Sequence, residues 1–391
     1  MQKYDYIIAG MGASGMMLAY RMSEDSFFNN KKLLLIDKEV KNQNDRTWCF
    51  WEKETTIWDA LVSKEWNHIL FNSNSFSDSI DIIPYQYRLI RSKGFYQYVL
   101  ENIYQKDNIT IVKEKVISLK DEDTIVEVET DQRIYLGSKV FMSVLLSSEY
   151  KTQQKFPVLN QHFIGWFIRT KTPFFDQETA TFMDFDLNQK ENTRFMYVLP
   201  LSATEALFEY TLFSENLLDT KEYETEIIAY LDRKGIEGYQ IIEKEKGCIP
   251  MTCYDFRKQN SKNILHIGTA GGWTKPSTGF TFRKASKKTE KLVGFLKKNN
   301  DLSRFEKRTR FWYYDVLFLD LLSKENQHGA ELFSRLFKKN KAVDILKFLD
   351  EETTVVEELR IMTTMPAGKF LKVLWNRILK QNYLSLKPTT G

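Results

Sequence analysis

YDYIIAGMGASGMMLAYRM at residues 4–22, followed after a polar loop by LLLID at 33–37, is the stretch from which the fold is read. Tyr6, Ile7 and Ile8 form a short apolar run that ends in Gly10, Gly12 and Gly15, in G-x-G-x-x-G spacing, ahead of a helix-like segment. That order is strand, tight turn, helix. Gly10 permits the turn, Gly12 lets backbone approach a pyrophosphate, and Gly15 lets the helix lie close on the strand with its first amides aimed at phosphate. Leu33–Ile36 supplies a second buried strand ending in Asp37, placed to accept from a ribose hydroxyl. A purely structural glycine turn is the alternative. Both flanking strands, the helix and the terminal acid are in place, so a dinucleotide site at the head of the chain is expected.

With 391 residues but only 8 prolines and 17 glycines, no linker separates independent domains, and two interleaved lobes sharing a cleft are expected. The large aromatic share (28 Phe, 19 Tyr, 8 Trp) can fill a core and also line an apolar site. A net charge of +4 is too mild to point to nucleic acid. Cys49, Cys248 and Cys253 lack metal-ligand spacing and fit a reducing, cytoplasmic compartment without disulfides or a bound metal. MQKYDY leads straight into the first strand without an apolar signal region, and nothing approaches 18 consecutive apolar residues, so no membrane-spanning helix is expected.

Next comes Asp45-Arg46-Thr47-Trp48-Cys49-Phe50-Trp51-Glu52. One reading is a surface loop pinned to the core by its aromatics; the other is a cofactor-edge loop in which Arg46 faces phosphate and the aromatics wall a pocket. Ser92 is a plausible N-cap for a helix over 93–105. Residues 108–116, 124–130 and 133–136 read as a three-stranded meander, and 140–146 as a buried strand rejoining the first sheet. Runs at 162–170, 179–186, 194–201 and 205–213 suit an antiparallel sheet, and 221–234 is helical by pattern. The division expected is a cofactor lobe over 1–155, a substrate lobe over 156–245, a return to the cofactor lobe over 246–300, and a helical region over 301–391.

Glu209 is the one charge within residues 206–213. Leu207, Thr211 and Phe213 share its face and Phe208, Tyr210 and Leu212 hold the other, so neither face is polar. A carboxyl in such surroundings loses hydration, its pKa rises, and it becomes a candidate general acid; the alternative is an ordinary solvated strand acid. Asp184, on a neighbouring strand, is the second candidate.

NILHI at 263–267 runs into GTAGGWTKPSTGFTF at 268–282. Gly268, Ala270, Gly271 and Gly272 let backbone lie against something flat or charged, and Ser277-Thr278-Gly279 is read as the start of a helix, suited to an anionic ring edge or a phosphate. A tight strand-to-helix turn is the alternative. Residues 283–310 hold eleven Lys or Arg against three acids and precede FWYYDVLFLDLL. Residues 368–380 repeat the theme, with Leu371, Leu374, Trp375 and Ile378 on one side and Lys369, Lys372, Arg377 and Lys380 around it. These stretches read either as a solvated helix followed by a core helix or as a basic, aromatic face that docks on a membrane.

The segments GMGASG, DRTWCFWE, HFIGWF, TFMDFD, MYVLPLS with LFEYT, CIPM and GTAGGWTKPSTGFTF, in this order over about residues 4–282, resemble the bacterial lycopene cyclases, flavin-dependent enzymes that form carotenoid rings. The resemblance implies an α/β fold: a Rossmann-like FAD-binding lobe of the glutathione-reductase or hydroxylase kind, an antiparallel-sheet substrate lobe and a helical C-terminal region. It implies FAD in its reduced form with NAD(P)H as reductant, held by Gly10, Gly12, Gly15 and Asp37, with Arg46 at its phosphates and Gly271, Gly272, Pro276 and Gly279 beside its ring. It makes Glu209 the essential acid, lycopene the substrate and a peripheral site on the inner face of the cell membrane the location. Thr269 stands where hydroxylase-like flavoproteins carry Asp, so the ribitol contact given to that Asp must be made differently. An FAD-dependent isoprenoid reductase or monooxygenase is the rival expectation, and a non-catalytic isoprenoid carrier a further one.

Overall fold

In the computed structural model, which describes residues 2–385, the chain passes back and forth between two units. The first comprises residues 1–64, 88–155 and 253–309, the second 65–87, 156–252 and 310–391. Residues 65–87 thus group with the second unit rather than the cofactor lobe, and the second unit continues to Thr252 rather than ending at 245.

The first unit is built on β1 (Lys3–Ala9), whose apolar run is matched in register by β2 (Leu33–Asp37), parallel, with Ala9 beside Ile36. Its main sheet has the order β8 (Ile109–Lys113), β2, β1, β11 (Ile134–Met142), β10 (Val126–Thr130), β9 (Val116–Asp121), with β17 (Ile264–His266) also paired to β11. The meander and the return strand prove to be continuous. β11 pairs antiparallel to β10 with its first half and parallel to β1 along its length, and 109–113 leaves the meander for the opposite edge beside β2.

Helices α1 (Ala13–Ser23), α2 (Ser92–Ile103) and α5 (Phe282–Leu296) cover one face through a cluster that includes Ile8, Leu35, Phe95, Phe141 and Phe282. Ile7, Leu34, Ile36 and Val128 pack on the other. A short α3 (Glu149–Thr152) ends the second segment of this unit. A small sheet of order β3 (Thr47–Glu52), β7 (Gln86–Arg91), β4 (Val62–Trp66) is also present, so the aromatic segment expected as a loop is a strand. Ser92 is not the cap of α2 but its first residue: its hydroxyl donates to Asp45 Oδ1 (3.0 Å) and accepts from the Arg46 amide (3.0 Å), tying that segment down.

The second unit is a seven-stranded sheet of order β16 (Gln240–Met251), β12 (Leu159–Arg169), β15 (Glu205–Ser214), β14 (Arg194–Pro200), β13 (Thr179–Asp184), β5 (His68–Ser73), β6 (Phe76–Asp81). One face is covered by α4 (Thr220–Arg233), whose Tyr223, Ile227, Tyr230 and Leu231 recur at helical spacing and pack on Trp166, Met196, Phe208 and Tyr210. The C-terminal region is helical: α6 (Arg310–Lys324), α7 (Gly329–Lys339), α8 (Ala342–Leu349), α9 (Val355–Thr364) and α10 (Ala367–Ser385). The basic ring expected around the apolar side of α10 is partly turned inward. Lys369 pairs with Glu325 (2.6 Å) and Arg377 with Asp320 (2.5 and 2.9 Å), while the Lys380 side chain and residues 386–391 lie outside the described residues.

Gly15 brings α1 close against the turn that follows β1. A Cβ built on it falls 2.1 Å from the Gly10 carbonyl oxygen, a backbone atom that cannot move aside cheaply. Gly15→Ala is therefore expected to lose about 1–3 kcal/mol to overpacking, outweighing the gain of up to ~1 kcal/mol in helix propensity. Urea melts of both proteins would show it as a lower midpoint with an unchanged slope; an equal or higher midpoint contradicts the close-packing role.

Candidate active site

In the first unit the three glycines differ in backbone conformation and surroundings. Gly10 takes φ +100°, a left-handed value that favours glycine, while its amide bonds the Ile36 carbonyl (2.7 Å). Gly12 is the N-cap of α1 with no side-chain hydrogen bond, the first turn carries no acid, and a Cβ on Gly12 would meet no heavy atom within 4 Å. The first turn of α1 thus offers uncapped amides and the positive end of the helix dipole, the features that suit an anion. Asp37 is built into the turn itself: Oδ2 accepts from the Met11 amide (2.6 Å) and Oδ1 from the Glu39 amide (2.9 Å). A carboxylate has lone pairs beyond these two, so a ribose hydroxyl can still be accepted. Arg46 is exposed, and its guanidinium donates to the Asp45 carbonyl (2.5 Å), which differs from a side chain already aimed at phosphate.

The aromatics of the Asp45–Glu52 stretch are core anchors. Trp48 packs against Phe95 and Phe282 (centroids 5.2 and 5.4 Å), and Phe50 stacks on Phe282 at 4.8 Å. At the end of β3, buried Glu52 takes Arg283 in a two-pronged pair (2.9 and 3.2 Å), fastening the strand to the first turn of α5. The sequence reading missed this pair; its only trace is a lone acid closing an aromatic strand and an Arg opening a helix.

The 268–281 segment is a chain of tight turns. Gly268, Gly272 and Gly279 take φ +62°, +69° and +74°, and a Cβ on Gly271 would fall 2.1 Å from the His266 carbonyl oxygen. Ser277-Thr278-Gly279 does not open the helix. The Gly279 amide bonds back to the Lys275 carbonyl (2.8 Å), closing a turn that includes Pro276, and α5 starts only at Phe282. Thr269, at the position where Asp was missed, is hydrogen-bonded through its hydroxyl to Thr274 (3.0 Å), which is bonded in turn to Thr281 (2.9 Å). Three hydroxyls, rather than one carboxylate, hold the two ends of this turn together.

In the second unit Glu209 lies on the sheet face opposite α4, in one cross-strand row: Tyr197 on β14, Glu209 on β15, Gly165 on β12 and Glu245 on β16. Phe163, Phe167, Leu199, Leu207 and Thr211 fall on the same face by register. Gly165 makes the row possible. A Cβ there would stand 2.9 Å from Leu207, 3.2 Å from Glu245 Cγ and 3.5 Å from Glu209 Cβ, so its missing side chain is the space the two acids lean over. Glu209 is 9% exposed and accepts from the Thr211 hydroxyl (2.9 Å) at Oε1. Burial, and then the neighbouring charge of Glu245, raise its pKa well above the ordinary carboxyl range, against a smaller opposing pull from Thr211. Gly165 and Glu245 were not singled out in the sequence, although a glycine inside the aromatic strand HFIGWF marks a close approach.

Asp184 is not part of this row. It pairs in register with Met196 on the α4 side, where its carboxylate accepts from Asn72 (2.8 Å), Tyr230 (2.7 Å) and the Asp186 amide (2.9 Å) and meets Lys234 Nζ at 3.3 Å. Every accepting direction is engaged in holding β13 to β5 and α4, so the two acids predicted from sequence lie on opposite faces of one sheet.

With this geometry in hand, solved structures of the same fold define the class. A flavoprotein/dehydrogenase from Cytophaga hutchinsonii superposes with a TM-score of 0.59 at 11% identity, covering 93% of this chain and 100% of that one. A geranylgeranyl bacteriochlorophyll reductase-like protein from Thermoplasma acidophilum superposes with a TM-score of 0.58 at 13% identity, covering 96% of each chain. The fold is that of the FAD-dependent oxidoreductases and halogenases, with a helical C-terminal region. Within that class the chain belongs to the lycopene cyclase family, whose model, described as Lycopene cyclase protein, matches residues 5–374. It is 24% identical to the lycopene beta-cyclase of Pseudescherichia vulneris over 71% of this chain and 70% of that protein, and 24% identical to that of Pantoea ananas over 74% of each. Among the described residues, no helix is long and apolar enough to cross a membrane.

The two acids make opposite stability predictions. Below the unfolded pKa of about 4.3, Glu209 is protonated in both states; above it, the folded state keeps a proton that the unfolded state has lost, so stability falls as pH rises, by about 1.4 kcal/mol per unit until the raised folded pKa is reached. Glu209→Gln removes this loss. Thermal melts should show the variant close to the parent at pH 4 and progressively more stable than it toward pH 8. Asp184→Asn, by contrast, breaks a buried charged network and should cost roughly 3–5 kcal/mol. A Glu209→Gln protein less stable than the parent at pH 8 would contradict the reading of Glu209 as a strained, desolvated acid.

Proposed function

We propose that the protein is a lycopene β-cyclase, an intramolecular lyase or isomerase that closes the ends of lycopene into β-ionone rings, giving γ- and β-carotene. The observation that carries the reading is the carboxyl of Glu209, buried on an apolar sheet face and pushed up from the ordinary carboxyl range by that burial, in a chain of the lycopene cyclase family. Named relatives in that family are lycopene beta-cyclases, which supports the same substrate.

Ring closure needs one strong acid and no water. Burial, and then the neighbouring charge of Glu245, push the Glu209 carboxyl up, which suits it to the role of proton donor. With Oε1 engaged by Thr211, the free oxygen is the one that donates, to a terminal double bond of the polyene. The tertiary carbocation so formed is attacked by an internal double bond, closing the ring, and loss of one proton restores neutrality. One proton enters and one leaves, so the product is an isomer. Phe163, Phe167 and Tyr197 share the face and exclude the water that would quench the cation, while offering it ring faces. The uncapped turn at Gly12, with Asp37, would hold FAD, which in its reduced form, with NAD(P)H as reductant, would supply an electron-rich ring able to stabilise positive charge without net electron transfer.

Anaerobic incubation of the purified protein with lycopene and reduced FAD, followed by product chromatography, tests the reading. Cyclic carotenoid should form with no reduced nicotinamide consumed in proportion to product. Proportional consumption would instead favour a reductase or monooxygenase, and unchanged lycopene a carrier. Glu209→Gln should lower the rate by about 10²–10⁴-fold with flavin still bound, and Glu209→Asp by roughly a hundredfold, since retracting the carboxyl misplaces the proton by about 1 Å. Gly12→Val, filling space that no protein atom occupies, should leave the fold intact and empty the protein of flavin, read as loss of its absorbance after purification. Full flavin occupancy in that variant would overturn the cofactor assignment.

A further inference from the structure

α10 carries two chemically distinct sides. Inward, Val373 is buried, Lys369 and Arg377 are bound by the acids of the Arg310–Glu325 segment, and the Arg377 guanidinium lies 5.2 Å over the Phe156 ring. Outward, Leu371 is 63% exposed, Leu374 40%, Trp375 64%, Ile378 43% and Leu379 50%. These positions recur at three, four, seven and eight residues and form one stripe along a helix of 19 residues, about 28 Å long. Soluble surfaces rarely leave so large a contiguous apolar stripe uncovered.

We propose that this stripe is the surface on which the protein seats itself, in the plane of the interface, on an anionic lipid bilayer. Charge selects the occupant. Residues 367–385 contain no acid, and Lys372 is exposed beside Leu371. The two acids of the preceding helix do not spoil the field, because half-buried Glu357 is paired with Lys347 (2.6 Å) and buried Glu358 is paired with Arg310 (2.6 Å). Large aliphatic residues with a Trp on the outward side, bordered by the exposed Lys372 and by no acid of the helix itself, are what an interfacial helix requires, and a helix of this composition lies on the bilayer rather than through it. The two inward ion pairs give the device its geometry: Arg377 fastens α10 to Asp320 of α6 and Lys369 fastens it to Glu325 just past the end of that helix, which turns the apolar stripe outward. The proposal rests on the chemistry of α10 and stands whether or not Glu209 is the acid.

Sedimentation of the full chain with vesicles tests it. The protein should bind vesicles of phosphatidylcholine mixed with phosphatidylglycerol more tightly than vesicles of phosphatidylcholine alone, and salt should weaken the difference. Leu371→Ser with Trp375→Ser should reduce the vesicle-bound partition by at least about tenfold, with unchanged circular dichroism and unchanged flavin content. Lys372→Glu should lower binding to the anionic vesicles and leave the neutral ones unaffected. Wild-type binding by the double variant, or no preference for anionic lipid in the parent, would overturn the proposal. So would a parent that ignores vesicles but sediments as a dimer, with the double variant monomeric, since the stripe would then be covered by a second copy of the chain. Ring formation from detergent-dispersed lycopene should survive the double substitution, which keeps failure of the docking surface distinct from failure of the catalytic reading.

Discussion

A carboxyl group denied water cannot easily give up its proton to the solvent, and the second unit of this protein is built around that penalty. Isolating a carboxylate in a dry protein interior costs several kcal/mol, so the group neutralises instead. Glu209 meets this condition because three strands cooperate: β15 carries it, β12 offers only Gly165 beside it, and β16 brings the Glu245 charge across that gap. Burial alone would raise the pKa; the second acid raises it further, and the Thr211 hydroxyl orients the group at a small opposing cost. The result is an acid whose proton is held more tightly than that of an ordinary glutamate.

The same sheet shows how an acid is kept from chemistry. Asp184 is more deeply buried than Glu209, at 1% against 9% exposure, but it is surrounded by donors: an amide side chain, a phenol, a backbone amide and a lysine. Those donors tie Asp184 into the scaffold, whereas Glu209 has apolar neighbours and a second acid beside it. The first unit works by the complementary rule. Around Gly12 and the start of α1 the chain leaves backbone amides without side-chain caps, a cost for an isolated helix and an advantage where an anion arrives.

Much of this was legible in the sequence because the decisive signals were local. The glycine turn, its two strands and α1 follow from spacing within 34 residues, and the strands at 159–169, 194–200 and 205–214 follow from aromatic and β-branched runs. Glu209 stood out because both faces of its strand are apolar. What was missed depends on pairing across long separations. The continuity of β11 is decided by its pairing antiparallel to β10 and parallel to β1 and β17, which no window of sequence displays. β5 and β6 join a sheet whose other strands come some ninety residues later. The row through Gly165 and Glu245 exists only once register is fixed, and the inward turn of Lys369 and Arg377 is set by two acids about fifty residues earlier in the chain. The helix expected at Ser277 was misplaced by a few residues because Gly279, at φ +74°, closes a turn before the helix can begin.

The central claim is that Glu209 remains protonated at neutral pH, and infrared difference spectroscopy reads this directly. Spectra of the purified protein and of Glu209→Gln, recorded across a pH titration and subtracted, should contain the carbonyl stretch of a protonated carboxylic acid at pH 7, present only in the parent and lost only on further alkalinisation. A difference spectrum showing instead a carboxylate at pH 7, titrating near the ordinary glutamate value of about 4.3, would contradict the account.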